Sequence, residues 1–186
     1  MKKIMFNDKY GLTQAVLKGR KTQTRRMPFG GNLGLISLPP RQLIAAAKYN
    51  IGEEVAIAQR YEDMAKDDDF FRFLQKKGIG LGCLIYEKGC HNKMFVKADL
   101  MPHRIRITNI RVERLQDISE EDCIAEGIWR DDNVGLEGTT YWYHGLANSS
   151  FRTAREAYAT LIDKISGKGT WESNPWVFVY DFELVK

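Results

Sequence analysis

Residues 19–26, with the sequence GRKTQTRR, form a basic segment in which hydroxyl and amine side chains stand together without an acidic neighbour. Its positively charged residues are Arg20, Lys21, Arg25 and Arg26. A threonine hydroxyl becomes a nucleophile when a proton acceptor lies beside it, and a lysine becomes such an acceptor when nearby cations lower its pKa. Lys21 with Thr22 or Thr24 therefore has the residue types that nucleophilic catalysis needs.

The same basic segment also has a binding and a structural interpretation. Arginine guanidinium groups hold phosphates or nucleobases through paired hydrogen bonds, so the segment favours contacts with a substrate or with RNA. The candidates for these contacts are Arg20, Thr22, Arg25 and Arg26. Alternatively, the segment is a helix C-terminus whose cations are favoured by the helix dipole, followed by a polar edge strand. In a straight strand Lys21 and Thr24 face opposite sides, so they share a pocket only if the chain turns at Lys21.

Glu126 is the acidic residue that could complete such a site. In DISEEDCIAEGI, Ser119 with Asp122 three residues later predicts a helix start, and Gly127 predicts its end. Glu126 then lies on the last turn, where the negative end of the helix dipole disfavours a second negative charge. This environment suits a general acid or base, although a solvated carboxylate on a short helix is the alternative.

The first half of the chain predicts the elements that lead to and from the basic segment. Asp8 can cap a helix with apolar residues at helical spacing, which ends at Gly19. Residues 27–50 predict a long loop with one short helix at RQLIAAAKY, and GEEVAIAQRYE predicts a strand. The acidic stretch that follows, to Lys77, predicts helix, and the glycine-rich piece after it predicts a hairpin around Lys88 and Gly89.

The second half predicts two long strands and one long helix. HRIRITNIRVERL predicts a strand in which the apolar residues change from odd to even positions between Ile107 and Ile110, here called the change of parity. A bulge near Thr108 and Asn109 would return both isoleucines to one face. WVFVYDFELV predicts a final strand with one core-facing aromatic wall. Residues 151–166 predict a helix that ends at Gly167, with one apolar face made of Phe151, Ala154, Tyr158, Leu161 and Ile165. Strands outnumber helices and lack βαβ spacing, which indicates an α+β fold around a curved or closed sheet.

Composition limits the class of protein. The 186 residues are 44% apolar, which predicts one domain with a substantial core. A formal charge of +4 permits an anionic partner without requiring one. Three cysteines do not make a disulfide scaffold, and the sequence has no apolar run of the roughly 20 residues that span a bilayer. We therefore expect a cytoplasmic protein with no membrane segment.

Metal binding is the chemistry that the sequence favours least. Cys83, Cys90 and His91 lie within nine residues, but the cysteine spacing is wrong for a zinc knuckle and no second pair follows. Phosphate-loop, nucleophile-elbow and dinucleotide-binding motifs are also missing from the sequence. We predict neither a metal nor a cofactor, with the cysteines as small packed apolar residues.

Several of these segments together resemble the ASCH family, a branch of the PUA-like β-barrel folds, and especially its longer members in phages and prophages. The resembling pieces cover about half of the chain and are GRKTQTRR, GEEVAIAQR, RIRITNIRVERLQDISEEDCIAEGI and GTWESNPWVFVYDFELV. The resemblance implies a small mixed β-barrel with flanking short helices and a cleft for RNA or a modified nucleoside. It also implies a single domain over residues 1–186, with insertions at about 27–50, 61–100 and 129–150.

The resemblance also implies an activity and its residues. The compact bacterial members are amidohydrolases that remove the acetyl group from N4-acetylcytidine, with a lysine, a threonine three residues later and a glutamate on the helix after the central strand. These fall on Lys21, Thr24 and Glu126, whereas Arg25 stands where the compact members have an apolar residue. The alternative is a non-catalytic RNA-binding module, in which Arg20, Arg25 and Arg26 act on a surface extended by Arg104, Arg106 and Arg111. The aromatic residues Trp129, Tyr141, Trp142 and Tyr143 either stack on bases of the RNA or pack the insertion against the barrel.

Overall fold

The computed structural model describes residues 1–28, 43–132, 138–145 and 150–185. Most of the loop predicted at 27–50, and parts of the insertion predicted at 129–150, lie outside these residues. The chain forms two compact units. The first is built from residues 1–6, 54–106 and 184–186, and the second from residues 7–53 and 107–183.

Seven strands of the described residues make two sheets. The strands are β1 (Lys3–Ile4), β2 (Gln23–Arg26), β3 (Glu54–Ile57), β4 (Arg104–Arg114), β5 (Trp129–Asp131), β6 (Thr140–Trp142) and β7 (Trp176–Val185). A five-stranded sheet has the order β1-β3-β4-β7-β2, and β5 pairs with β6. The β1–β3 pair is parallel, whereas the β3–β4, β2–β7 and β5–β6 pairs are antiparallel. The mixed α+β class is confirmed, but the described strands form an open sheet and do not close into the small barrel that the resemblance implies.

Helices whose full bounds lie within the described residues accompany these strands. They are α1 (Leu12–Leu17), α2 (Tyr61–Met64), α3 (Asp68–Lys76), α4 (Glu120–Ala125), α5 (Ala154–Ser166) and α6 (Thr170–Ser173). In the same part of the chain, 3₁₀ turns occur at Leu81–Cys83, Lys88–Cys90, Lys93–Phe95, Ala98–Leu100 and Leu115–Asp117. Over the described ranges, the structure contains no helix with the length and apolar character that crossing a lipid bilayer requires.

The first unit contains the whole of the insertion predicted at 61–100. Its core is made of Ala56, Ala58, Tyr61, Met64, Phe70, Leu74, Leu84, Val96, Leu100 and Met101. The strand at β3 and the helix at α3 are confirmed, but the hairpin predicted around Lys88 and Gly89 is wrong. Successive 3₁₀ turns replace it. The buried residues Leu84, Cys90 and Val96 are six positions apart, whereas a strand with one face on the core buries every second residue.

In the second unit the long strands appear where they were predicted. Along β4, Thr108 and Asn109 are both exposed between buried Ile107 and Ile110, so the predicted change of parity is confirmed. The aromatic wall predicted for β7 is buried at Phe178, Tyr180 and Phe182, and Val177 and Val179 on the opposite side of the strand are buried as well. The strand lies between β4 and β2 in the sheet, and its apolar run is typical of a strand covered on both faces.

Of the two main helices of the second unit, α4 begins as predicted, whereas α5 begins at Ala154 and not at the predicted residue 151. The Ser119 hydroxyl accepts a hydrogen bond of 3.1 Å from the Asp122 amide and caps α4. Helix α5 has Thr153 at its N-cap and Gly167 at its C-cap. Ala154, Tyr158 and Leu161 are buried as predicted, whereas Ile165 is exposed and Phe151 precedes the helix.

Candidate functional site

The basic segment meets the C-terminal end of helix α4. Lys21 and Thr22 lie between α1 and β2, and the Thr22 amide donates a hydrogen bond of 2.9 Å to the carbonyl oxygen of Ala125. The Lys21 Nζ donates to the carbonyl oxygen of Glu126 at 2.8 Å. Helix C-termini leave carbonyl groups without intrahelical partners, and this connection satisfies two of them. Gly127 follows with φ +107°, a conformation that ends the helix and that a residue with a Cβ rarely adopts.

Lys21 and Glu126 form a buried ion pair. The Lys21 Nζ lies 2.5 Å from the Glu126 Oε2, and the two residues are only 2% and 4% exposed. Burial lowers the pKa of Lys21, and this effect outweighs the opposing attraction of Glu126, while Arg26 and Arg25 lower it further. Desolvation is thus the main cause of the lowered pKa, and the crowding by arginines that the sequence suggested is secondary.

Arg25 holds the other oxygen of the same glutamate. A guanidinium group has five N–H donors. In Arg25 the Nε and one Nη2 donor reach Glu113, the second Nη2 donor reaches Asp122, and the Nη1 donors reach Gln23 and the Glu126 Oε1. All five donors therefore have acceptors within the chain, which makes Arg25 a positioning residue for Glu126 and leaves no donor for an RNA phosphate.

Further charges extend this arrangement into an ionic cluster. Its members are the cations Lys21, Arg25 and Arg111 and the carboxylates Glu113, Asp122, Glu126 and Asp181. They come from four elements of the second unit: the basic segment with β2, and β4, α4 and β7. Gln23 joins it by donating to Asp122 and, at 2.7 Å, to Asp181, the residue opposite Gln23 in the β2–β7 ladder. The ionic cluster thus links the start of β2 to three neighbouring elements.

Thr24 lies on the other side of β2 from this ionic cluster. It is buried and pairs with Tyr180 of β7, between Gln23 and Arg25 in sequence. Side chains alternate along a strand, so the residues on either side of Thr24 face the ionic cluster while Thr24 faces away. The structure therefore brings Lys21 and Glu126 together and places Thr24 on the opposite face, where half-buried Arg26 is also expected.

Arg20 and Thr22 lie at the surface of the basic segment. Thr22 is exposed, and the Arg20 guanidinium lies 3.8 Å from the ring centroid of Trp129. Trp129 in turn stacks on Trp142, its partner across the β5–β6 ladder, with centroids 4.9 Å apart. Tyr143, another aromatic residue of the predicted insertion, is fully buried and packs inside the second unit.

Cys123 is a buried thiol on helix α4, and its surroundings disfavour it as a nucleophile. Burial raises its pKa to about 12, and the charge of Glu120 adds to this effect. A thiol must ionise to attack a carbonyl carbon, so Cys123 is inert at neutral pH. The chemistry available here is proton transfer between an amine and a carboxylate, because the Lys21 Nζ donates directly to the Glu126 Oε2 and burial lowers the pKa of Lys21.

Sequence reasoning missed most of the ionic cluster. The sequence indicated no site role for Gln23, Glu113, Asp122 or Asp181, and it suggested Arg111 only as an extension of an RNA-binding surface. Two spacings carried a signal: Lys21, Gln23 and Arg25 alternate in sequence, and Asp122 and Glu126 are four residues apart on one helix face. Nothing in the sequence placed Arg111 or Asp181 beside them, since these contacts depend on how β4 and β7 lie in the sheet.

Comparison of the chain with known protein families, curated proteins and solved structures found no match.

The saturated guanidinium of Arg25 predicts that lysine cannot replace it. Arg25→Lys keeps the charge but leaves carboxylate oxygens without donors, so we expect the free energy of unfolding to fall by at least about 2 kcal/mol. Urea denaturation of the variant measures this, with Arg130→Lys at an exposed arginine as the control, expected within about 0.5 kcal/mol of the unsubstituted protein. Equal stability of the two variants would contradict the positioning role.

The ionic cluster also predicts a pH dependence through Asp122. Burial alone would raise the pKa of Asp122, but hydrogen bonds from Arg25 and Gln23 and the charges of Arg25 and Arg111 lower it below 3.8. A carboxylate with a lowered pKa in the folded state stabilises the fold above its unfolded pKa, and this stability is lost as the pH falls through the folded value.

We therefore expect Asp122→Asn to be less stable than the unsubstituted protein at neutral pH, by about 1–2 kcal/mol. The difference should narrow as the pH falls below 3.8. Thermal unfolding across this range measures it, and Glu121→Gln on the same helix reports the general effect of losing one negative charge from α4. A difference that stayed constant down to the lowest pH would refute the proposed pairing of Asp122.

Proposed function

We propose that this chain is an ASCH-like protein of the PUA-like superfamily, and an amidohydrolase that removes an N-acyl group from a modified nucleoside such as N4-acetylcytidine. The observation that carries the proposal is the direct contact of Lys21 with Glu126, at 2.5 Å and almost excluded from water. These are two of the three residues that the resemblance assigns to catalysis, and they are 105 positions apart in sequence. The resembling segments supply the substrate class.

The proposed reaction is hydrolysis of an amide to a carboxylic acid and an amine. Water adds to the acyl carbon, the bond from carbon to the exocyclic nitrogen breaks, and a proton passes to the leaving amine. Lys21 activates the attacking group or steadies the oxyanion, and Glu126 carries the proton to the nitrogen. Arg25 holds the Glu126 Oε1, which orients the carboxylate while its Oε2 exchanges a proton with Lys21.

A role for Thr24 in the proposed reaction requires movement of Thr24, and the substrate requires an opening through which it reaches the buried pair. Thr24 can attack the acyl carbon or position the water only if a conformational change brings its hydroxyl to the Lys21–Glu126 pair. The alternation of side chains along β2 points this hydroxyl away from the pair. Lys21 and Glu126 are buried, so an acyl group reaches them only when the residues that cover them move. Closed sites of this kind strengthen the electrostatic interactions within them once the substrate is bound.

A non-catalytic RNA-binding module is the second candidate, and the stack of Arg20 on Trp129 favours it. Arg20 is part-exposed, and exposed Thr22 and half-buried Arg26 follow it in the same basic segment, so this segment has the residue types that contact a phosphate and a base. In this alternative the Lys21–Glu126 pair only stabilises the fold. Contacts with several phosphates would make the affinity fall steeply with salt concentration, whereas one nucleoside in a pocket would not.

Hydrolysis of N4-acetylcytidine by the purified full chain, followed by chromatography, tests the proposal. We expect turnover that falls by at least about 100-fold in kcat/KM in Glu126→Gln and in Lys21→Met, because each loses proton transfer. Lys18→Met, at an exposed lysine beyond α1, is the matched control and should retain full activity. Circular dichroism and thermal melts establish that each variant is folded.

Thr24→Ala decides the role of threonine. Loss of turnover in a folded Thr24→Ala protein keeps the hydroxyl in the mechanism, and full activity removes it. If the folded, unsubstituted protein has no turnover, the amidohydrolase proposal is wrong for this substrate. A salt-dependent titration with single-stranded RNA then tests the second candidate.

A further inference from the structure

A second group of chemically reactive side chains lies in the first unit. One donor atom from each of Glu62, Cys90 and His91 can be chosen so that all three lie within 4.8 Å of one another. The His91 Nδ1 lies only 2.6 Å from the Glu62 Oε2. These residues come from two elements, since Glu62 is on helix α2 while Cys90 and His91 end the 3₁₀ turn at Lys88–Cys90. The combination of thiol, imidazole and carboxylate is that of a transition-metal site.

Close packing holds the two elements of this site against each other. Gly89 is buried, and a Cβ added there would meet the Tyr61 ring at 2.7 Å and the Val96 Cα at 3.1 Å. Tyr61 is itself buried and accepts a hydrogen bond of 2.9 Å from the Lys97 amide. The turn that presents Cys90 and His91 is therefore pressed against the residue that precedes Glu62. A site whose ligands are already positioned loses less conformational entropy when it binds a metal ion.

We propose that Glu62, Cys90 and His91 bind a thiophilic divalent cation, with Zn²⁺ as the reference ion. The Cys90 thiolate, the Glu62 carboxylate and the neutral His91 imidazole together carry two negative charges, which match a divalent cation. The cation takes the place of the proton between the His91 Nδ1 and the Glu62 Oε2, and solvent transfers that proton to the His91 Nε2, so the imidazole stays neutral. The Cys90 proton is released to solvent on binding.

The surroundings define the remaining coordination. Arg60 pairs with the Glu62 Oε1 at 2.8 Å, which orients the carboxylate and leaves its Oε2 toward His91. The His91 side chain is 77% exposed, so the site opens to solvent on the side of the imidazole. A tetrahedral ion with three protein ligands therefore keeps one position for water. This site uses only residues of the first unit and does not depend on the proposed amidohydrolase activity.

The sequence prediction of no metal considered only the spacing of the cysteines and histidine. Cys83 is exposed and is not part of the group, whereas Glu62, 29 positions before His91, supplies the third ligand. Only the fold of the first unit brings Glu62 to the turn at Lys88–Cys90. This difference also provides a matched control, because Cys83 and Cys90 are two thiols in the same unit with different predicted roles.

Titration of the chelator-treated full chain with CoCl₂ tests the proposal, because cobalt bound to a thiolate gives a charge-transfer absorption band. We expect this band in the unsubstituted protein, its displacement by ZnCl₂, and its absence in Cys90→Ser. Cys83→Ser should keep the band unchanged. His91→Ala, at an exposed position, should weaken cobalt binding by at least about tenfold, since even losing a residue that supports a ligand costs that much.

Two further readouts separate a site from a folding defect. ZnCl₂ should raise the melting temperature of the unsubstituted protein and of Cys83→Ser, raise that of His91→Ala by less at the same concentration, and leave that of Cys90→Ser unchanged. Circular dichroism verifies that the variants fold, and His91→Ala carries the test alone if Cys90→Ser does not fold. The proposal is overturned if the folded, unsubstituted protein gives no band, if the band persists in folded Cys90→Ser, or if Cys83→Ser loses it.

Discussion

The pairing of buried Lys21 with buried Glu126 is the interaction on which the second unit depends. An isolated charge in a protein interior is strongly disfavoured, so each partner needs the other, and both need hydrogen bonds for their remaining atoms. Lys21 meets this requirement by donating to the backbone and the side chain of one residue. Arg25 donates a hydrogen bond to the other oxygen of Glu126, and its remaining donors include those that bind Glu113 and Asp122. The end of α4 and the start of β2 are therefore fixed together.

This constraint supports either a structural or a catalytic role, and the two draw on the same physics. Removing one partner of a buried ion pair costs about 3–5 kcal/mol, so the pair stabilises the observed arrangement against loss of either residue. Desolvation also lowers the pKa of Lys21, which prepares the amine to accept a proton. A lysine in water would lack this property. The structural requirement to bury the pair thus creates the chemical property that the proposed hydrolysis uses.

The sequence predicted the local features of this arrangement well. The cap of α4 at Ser119, the end at Gly127 and the long strand β4 follow from short-range rules that depend on neighbouring residues. Lys21 and Glu126 were predicted as partners from a resemblance, and the contact between them is present.

The predictions that failed depended on tertiary context. The glycine-rich piece around Gly89 forms 3₁₀ turns because its apolar residues are buried one at a time against the core of the first unit. Sheet closure is a property of strand pairing that no single segment encodes. From the sequence, Arg25 is a candidate for contacts with RNA. In the structure its guanidinium donates to acceptors on β2, β4 and α4, which come together only in the fold.

The central claim is that Lys21 is a buried amine whose pKa is lowered by desolvation and partly restored by Glu126. Nuclear magnetic resonance titration of the labelled lysine side chain, assigned by its loss in Lys21→Met, measures this directly. The account predicts a midpoint below the reference value of 10.5, and a lower midpoint again in Glu126→Gln, because the carboxylate that favours the ammonium is removed. A midpoint at or above 10.5, or one that does not fall in Glu126→Gln, would contradict it.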